Sequence, residues 1–278
     1  MTKLPGLVLM ACSALSFSLM AVVIKFLRGE MSTGEILFFR GLFCALLTIG
    51  ALRLERASVL GNRRGLLALR GVLGFLGLYL YCTALGRIPL ADAMALQYTH
   101  PIFAALFALL FLKERMPRTG PVAILICAAG GYLILNPQAT GDLEGNLIGL
   151  ASGCVAGLAY ACVRALSKTE NPLTIMLAFH IAALVFGAIL MFGEFSWPAG
   201  ITWLWIAALV VFSQAGQWFL THGLVKERAG VATTVGYTAI VWGALFAWAV
   251  FGETIGVPTL IGTGMMVAGL ALLTSRSR

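Results

Sequence analysis

Forty residues of this chain occur twice. Gly77 to Met116 aligns without a gap on Gly216 to Ile255, an offset of 139 positions in a chain of 278, with ten of the forty positions identical. The identities include Tyr98-Thr99 with Tyr237-Thr238, Ala105-Leu106-Phe107-Ala108 with Ala244-Leu245-Phe246-Ala247, and Glu114 with Glu253. Each half holds five apolar segments. Five is odd, so the second half must enter a bilayer from the opposite side to the first. The fold class expected is therefore an all-α integral membrane protein of ten transmembrane helices, arranged as two inverted five-helix repeats over 1–137 and 147–278, with the polar stretch 138–146 between them. Many secondary carriers build two related gates around one site in this way.

Composition excludes an ordinary water-soluble domain. Hydrophobic residues make up 60% of the chain and charged residues 11%, against about 25% charged in soluble domains. Ten spans are predicted at 5–27, 34–52, 65–86, 90–112, 119–136, 144–166, 172–193, 201–224, 230–251 and 257–274, each near the roughly 20 residues that cross the hydrocarbon core. Lys3 followed by an apolar run resembles a signal peptide. That run continues to Leu27, however, and its start, Leu4-Pro5-Gly6-Leu7, matches Leu147-Ile148-Gly149-Leu150 of the sixth span, so it reads as a retained first span.

The net charge of +8 is explained by where the cations fall. With the N-terminus in the cytoplasm, 13 of the 19 Lys and Arg residues lie inside, and only Lys25, Arg28 and Arg87 lie outside. A bias of that size sets orientation and makes a nucleic-acid partner a poor explanation of the charge. All six cysteines fall inside predicted spans without CxxC spacing, which reads as packing and not as disulfides or a metal site. There is no GxxxxGK[ST], HExxH or GxSxG motif, so neither an ATP-driven pump nor a hydrolase is encoded and no cofactor is expected.

Leu69-Arg70-Gly71, Tyr81-Cys82-Thr83-Ala84-Leu85, Ile88-Pro89-Leu90-Ala91-Asp92-Ala93, Pro101-Ile102-Phe103 and Leu112-Lys113-Glu114-Arg115 together resemble the EamA branch of the drug/metabolite transporter superfamily. Gly230-Val231-Ala232 and Phe251-Gly252-Glu253 echo it in the second half. The resemblance covers essentially the whole chain. It implies a multi-pass carrier of the cell inner membrane with cytoplasmic N- and C-termini. It further implies a central cavity lined by spans 1–4 and 6–9, spans 5 and 10 at the periphery, and cargo drawn from amino acids, purines and other small metabolites.

Polar side chains inside an apolar span are costly and should face a cavity or a partner. Arg40, two turns into span 2, could clamp a substrate carboxylate through its planar fork; a structural pair with Glu35 is the alternative. His180 in span 7 stands within one residue of the position equivalent to Arg40. In span 4, Gln97 and His100 share a helical face beside Tyr98, and Pro101 removes the N–H that the Gln97 carbonyl would accept. Span 8 offers Gln214, Gln217 and Trp218, and span 9 offers Tyr237 and Trp242; Tyr79 is the repeat-mate of Trp218. These residues form the expected substrate site, with a packed core or aromatic belt as the structural alternative. Asp92, Arg70 and Arg164 lie near span ends and, with Pro101, are expected to act in gating or topology, the arginines by snorkelling and Asp92 at a helix N-terminus. Gly71, Gly74 and Gly77, like Gly236 and Gly243, leave flat helix surfaces suited to close packing or sliding.

The function expected is secondary transport, export in direction, of small metabolites such as amino acids or organic anions by alternating access. The alternatives are a non-transporting membrane receptor or scaffold, or an exporter of cationic or aromatic drugs. The expected partners are a small-molecule substrate and the lipid bilayer, with protons as a candidate coupling ion carried by His100, His180 or His222 and a homodimer as a candidate assembly.

Overall fold

A computed structural model describes residues 5–112, 119–134, 142–193, 195–226, 236 and 238–275. Among them are eleven helices: α1 Gly6–Leu27, α2 Thr33–Leu54, α3 Arg64–Leu85, α4 Leu90–Gln97, α5 His100–Leu112, α6 Gly120–Ile134, α7 Leu143–Leu166, α8 Pro172–Leu190, α9 Thr202–Lys226, α10 Thr238–Phe251 and α11 Val257–Ser275. No strand occurs among the described residues. Six of the helices (α1, α2, α3, α7, α8 and α9) are long and apolar enough to cross a membrane, and two shorter apolar helices lie within α10 and α11. The helices follow the predicted spans closely, with two differences. Span 4 is broken into α4 and α5, and the described part of span 9 begins its helix at Thr238 because 227–235 and 237 lie outside the described residues.

Helix starts are set by short polar side chains at the edges of the apolar runs. Ser32 Oγ accepts from the Glu35 backbone N–H at 3.2 Å while Glu35 Oε2 accepts from the Ser32 N–H at 2.8 Å, a complete capping box at α2. Asn171 caps α8 through Leu173 N at 2.8 Å, with Pro172 in the first turn, and Asp142 caps α7 through Gly145 N at 2.8 Å. Each such cap is worth about 1 kcal/mol.

Packing pairs helices from the two halves of the chain. α1 lies against α9 and α3 against α7; α3 also meets α8, α2 meets α9, α1 meets α10, and α7 meets α4 and α5. Exchanging the halves turns each of these contacts into another on the same list. α2 against α8 and α6 against α11 map onto themselves. In the last pair the Cys127 thiol donates to the carbonyl of Met266 at 3.5 Å, its own counterpart 139 positions on.

α2 and α8 approach closely because glycine stands where they cross. A Cβ on Gly41 would run into the backbone of Leu184, and one on Gly187 would sit 2.6 Å from Phe38 N. Without hydrophobic contrast between protein and lipid, such backbone-to-backbone contact is what holds helices together.

The two ends of the bundle are tied differently. At one end Lys25 pairs with Glu253, whose Oε2 also accepts from Leu90 N at 2.8 Å. The ends of α1 and α10 are thereby joined to the start of α4. Nearby, Thr259 donates to Asp92 Oδ1 at 2.6 Å. Asp92 stands in the first turn of α4, where a carboxylate complements the helix N-terminus as expected; it is also buried and joins α4 to α11, and the position before α4 is Pro89, with no side-chain cap. On the same end Arg87 bridges Asp142 at 2.9 Å and Glu144 at 2.6 Å. At the opposite end Glu170 accepts from the backbone N–H groups of Asn62 at 3.0 Å and Arg63 at 2.7 Å.

Candidate functional site

Between the halves lies a cavity of about 120 Å³ lined from α1, α2, α3, α4, α5, α7, α8 and α9. α6 and α11 contribute no lining residue among those described, and neither does α10, the described part of the ninth span, which the family resemblance places in the lining. Four pairs of its lining residues stand 139 positions apart: Phe17 with Ala156, Met20 with Ala159, Arg40 with Phe179, and Leu78 with Gln217. The cavity therefore lies between the two halves of the chain.

Two arginines dominate it. Arg40 is 1% exposed and Arg70 is 8% exposed. Arg40 Cζ lies 4.7 Å and Arg70 Cζ 5.1 Å from the centroid of the Phe179 ring. Arg40 is oriented by a bond from Nε to Ser213 Oγ at 3.0 Å. Its Nη1, and Nε and Nη1 of Arg70, have no hydrogen-bond partner among the described residues. Neither arginine forms an ion pair there. Glu35, the alternative partner weighed for Arg40, is committed to Ser32 and to Ser196 N at 2.8 Å. A buried unpaired guanidinium costs several kcal/mol, and a cation–π contact returns about 0.5–2 kcal/mol. The two arginines are thus held with a charge deficit that an anionic ligand would relieve.

Arg70 stands differently from the expectation of a snorkelling end residue. Its guanidinium folds back along α3 into the cavity, over the position of Gly74, where a Cβ would strike Arg70 Nη1 and approach Phe179 Cδ2 to 2.8 Å. The arginine and the glycine one turn later form a unit, and that spacing was the signal available in the sequence.

The break between α4 and α5 shapes the opposite wall. Pro101 cannot donate to the Gln97 carbonyl, and the ring of His100 takes that place, with Nδ1 3.0 Å from Gln97 O. His100 stacks on Tyr160 at 4.7 Å. Gln97 Oε1 accepts from Ser152 Oγ at 2.5 Å. Gln97, Tyr98 and His100 all line the cavity.

The remaining sequence candidates divide. Gln217 lines the cavity; Gln214 sits beside it in α9, where its Nε2 donates to Thr48 Oγ1 at 2.9 Å. His180 is fully buried with neither ring nitrogen partnered among the described residues, but it is Phe179, the strict counterpart of Arg40, that lines the cavity. Trp218 is 36% exposed and packs on His222 at 4.1 Å between ring centroids. Tyr79 stacks on Phe75 at 6.1 Å, and Trp242 on Phe246 at 6.2 Å. These three aromatics are not among the lining residues. Tyr237 and the side chains of Arg164 and Pro101 lie outside the described residues. Phe179, Tyr160 and Ser213 were not singled out from sequence: an apolar ring, a tyrosine and a serine in a span carry no signal until the arginines they hold are placed.

A helical membrane protein with a charged, half-matched cavity between its halves has the form of a carrier. The profile of the EamA-like transporter family matches residues 4–136 and again 143–275, and the chain belongs to that family. It is 31% identical over 277 residues to the pseudopaline exporter CntI of Pseudomonas aeruginosa, covering 98% of this chain and 96% of that one. It is 28% identical to an uncharacterized transporter of Helicobacter pylori strain 26695 over 98% of this chain and 97% of the relative. Human solute carrier family 35 member G1 is 26% identical, over 87% of this chain and 71% of the relative. One solved crystal structure superposes with a TM-score of 0.65 at 18% identity, covering 94% of this chain and 95% of its own, which speaks to the fold alone.

Proposed function

We propose that this multi-pass membrane protein is a secondary transporter that exports small metabolites, amino acids or organic anions among them, by alternating access between two inverted repeats, 1–137 and 147–278, joined through 138–146. The observation that carries the reading is the cavity lined by four pairs of residues at the repeat offset and holding two arginines with no ion pair among the described residues. A ligand placed there touches both halves at once, so rocking one half against the other would expose it to either side in turn. The exchange symmetry of the helix contacts supports the same geometry. The relatives named as exporter and transporters support the class. The excess of Lys and Arg on one side supports cytoplasmic termini in the cell inner membrane. Arg40, Gln97, Tyr98, His100 and Gln217 are assigned to substrate, and His180, Gln214, Tyr79, Trp218, Tyr237 and Trp242 are kept as substrate candidates on their sequence positions alone. Pro101 is assigned to the gate, with Asp92 and Arg164 at its ends. The two buried cations disfavour a cationic drug as cargo.

The test is flux into proteoliposomes against a panel of amino acids, purines and organic acids, with Arg40→Ala alongside. The expected outcome is saturable uptake of at least one anionic or zwitterionic solute that falls at least tenfold in Arg40→Ala, since a charge-assisted bond is worth about 1.5–3 kcal/mol. Absence of flux for every member of the panel would contradict the carrier reading; unaltered flux in the variant would contradict the site.

A further inference from the structure

We infer that the ligand of this cavity is a small organic dianion, its two negative charges meeting Arg40 and Arg70 and its carbon frame lying against Phe179. The inference rests on the carrier reading above for its biological sense, and on the geometry alone for its chemistry. Among the lining residues there are two arginines and no aspartate or glutamate. The buried acids among the described residues are used elsewhere: Glu35 by Ser32 and Ser196, Asp92 by Thr259, Glu170 by Asn62 and Arg63. A monoanion would therefore leave one guanidinium buried without a counter-charge, and a zwitterion would bring a cation to a place that already holds two.

The donors are buried without a counter-charge. Ser213 fixes Arg40 through Nε and leaves Nη1 without a partner among the described residues; the inward fold of Arg70 over Gly74 leaves its Nε and Nη1 in the same condition. Both guanidinium carbons lie within about 5 Å of one ring centroid, so the two charges gather about one side chain. The volume, about 120 Å³, is several times the roughly 10–15 Å³ that a single water needs on the same measure, which leaves room for a short diacid. Met20, Leu78 and Met94 supply apolar wall for the carbon frame.

The experiment is calorimetric titration of the detergent-purified full chain with succinate, with its monoamide succinamate, and with inorganic phosphate. The expected result is that succinate binds about ten- to a hundredfold more tightly than succinamate, and that Arg70→Gln lowers succinate affinity by a similar factor and erases the difference between the two. Gly74→Ala keeps every charge and displaces the Arg70 guanidinium, so it should weaken succinate while leaving succinamate unchanged. Phosphate binding in place of succinate overturns the organic, two-headed ligand, since one inorganic group would then meet both arginines. Succinamate binding as well as succinate, retention of the discrimination in both variants, or binding of neither dianion by the wild-type chain overturns the inference. A bound dianion that is not carried in proteoliposomes would sink the carrier reading and leave this site standing; flux of another solute without dianion binding would do the reverse.

Discussion

Arg40 and Arg70 differ by thirty positions and by how readily a sequence discloses them. Arg40 stands two turns inside an apolar run, where an arginine has to face something other than lipid. Arg70 stands near a span end, where its long stem could reach water, and only the missing Cβ at Gly74 decides that it turns inward. The same holds for Phe179: its chemistry comes from the two guanidinia stacked on it. Phe179→Leu keeps most of the volume and removes the π face. With about 0.5–2 kcal/mol per contact at stake, the predicted result is a several-fold rise in transport KM with little change in melting temperature. Unchanged KM would show that the ring serves only as packing. Pro101 was legible as a kink, and its consequence was not: which group would replace the missing N–H depended on the rotamer of His100, fixed by Tyr160 from another helix.

The helices themselves were legible because a membrane-spanning run has to be apolar throughout and ends where charge or a cap begins. Ser32, Asp142 and Asn171 mark such ends by residue type alone. Which helix packs on which was hidden, since no local pattern distinguishes the flat face at Gly41 from that at Gly71. Gly41→Leu would drive a side chain into the backbone of Leu184. Overpacking of this kind costs about 1–3 kcal/mol or more, and the expected outcome is a lowered melting temperature and poor recovery of folded protein, read by size-exclusion chromatography in detergent. The tie of Arg87 to α7 makes a pH prediction. Asp142 is held below the usual carboxylate range by the Gly145 N–H and then by Arg87, and Arg87 is itself held up by its bonds to Glu144 and Asp142. A carboxylate whose folded pKa is depressed contributes stability above its unfolded pKa and loses it as pH falls through the folded one. The melting-temperature difference between wild type and Arg87→Gln should therefore be constant through neutral pH and shrink below about pH 4; a difference that grows on acidification would contradict the assignment.

For the whole molecule, four pairs of lining residues share the 139-residue offset of the sequence repeat, and it is there that the proposed rocking motion would pivot. One end is tied by Lys25 and Glu253, drawing α1, α10 and α4 together. The sequence flagged Glu253 only as a repeated residue, because its partner lies 228 positions away in the chain. Glu253→Gln removes the ion pair, and we expect it to favour opening at that end. The most direct test of alternating access uses a single cysteine at Ala159, a lining residue, in a chain whose native cysteines are replaced. A membrane-impermeant thiol reagent would be applied to right-side-out and inside-out vesicles, with and without Glu253→Gln. The account predicts labelling from both sides, faster from the Lys25–Glu253 side in the variant. Labelling confined to one side in every preparation would contradict it.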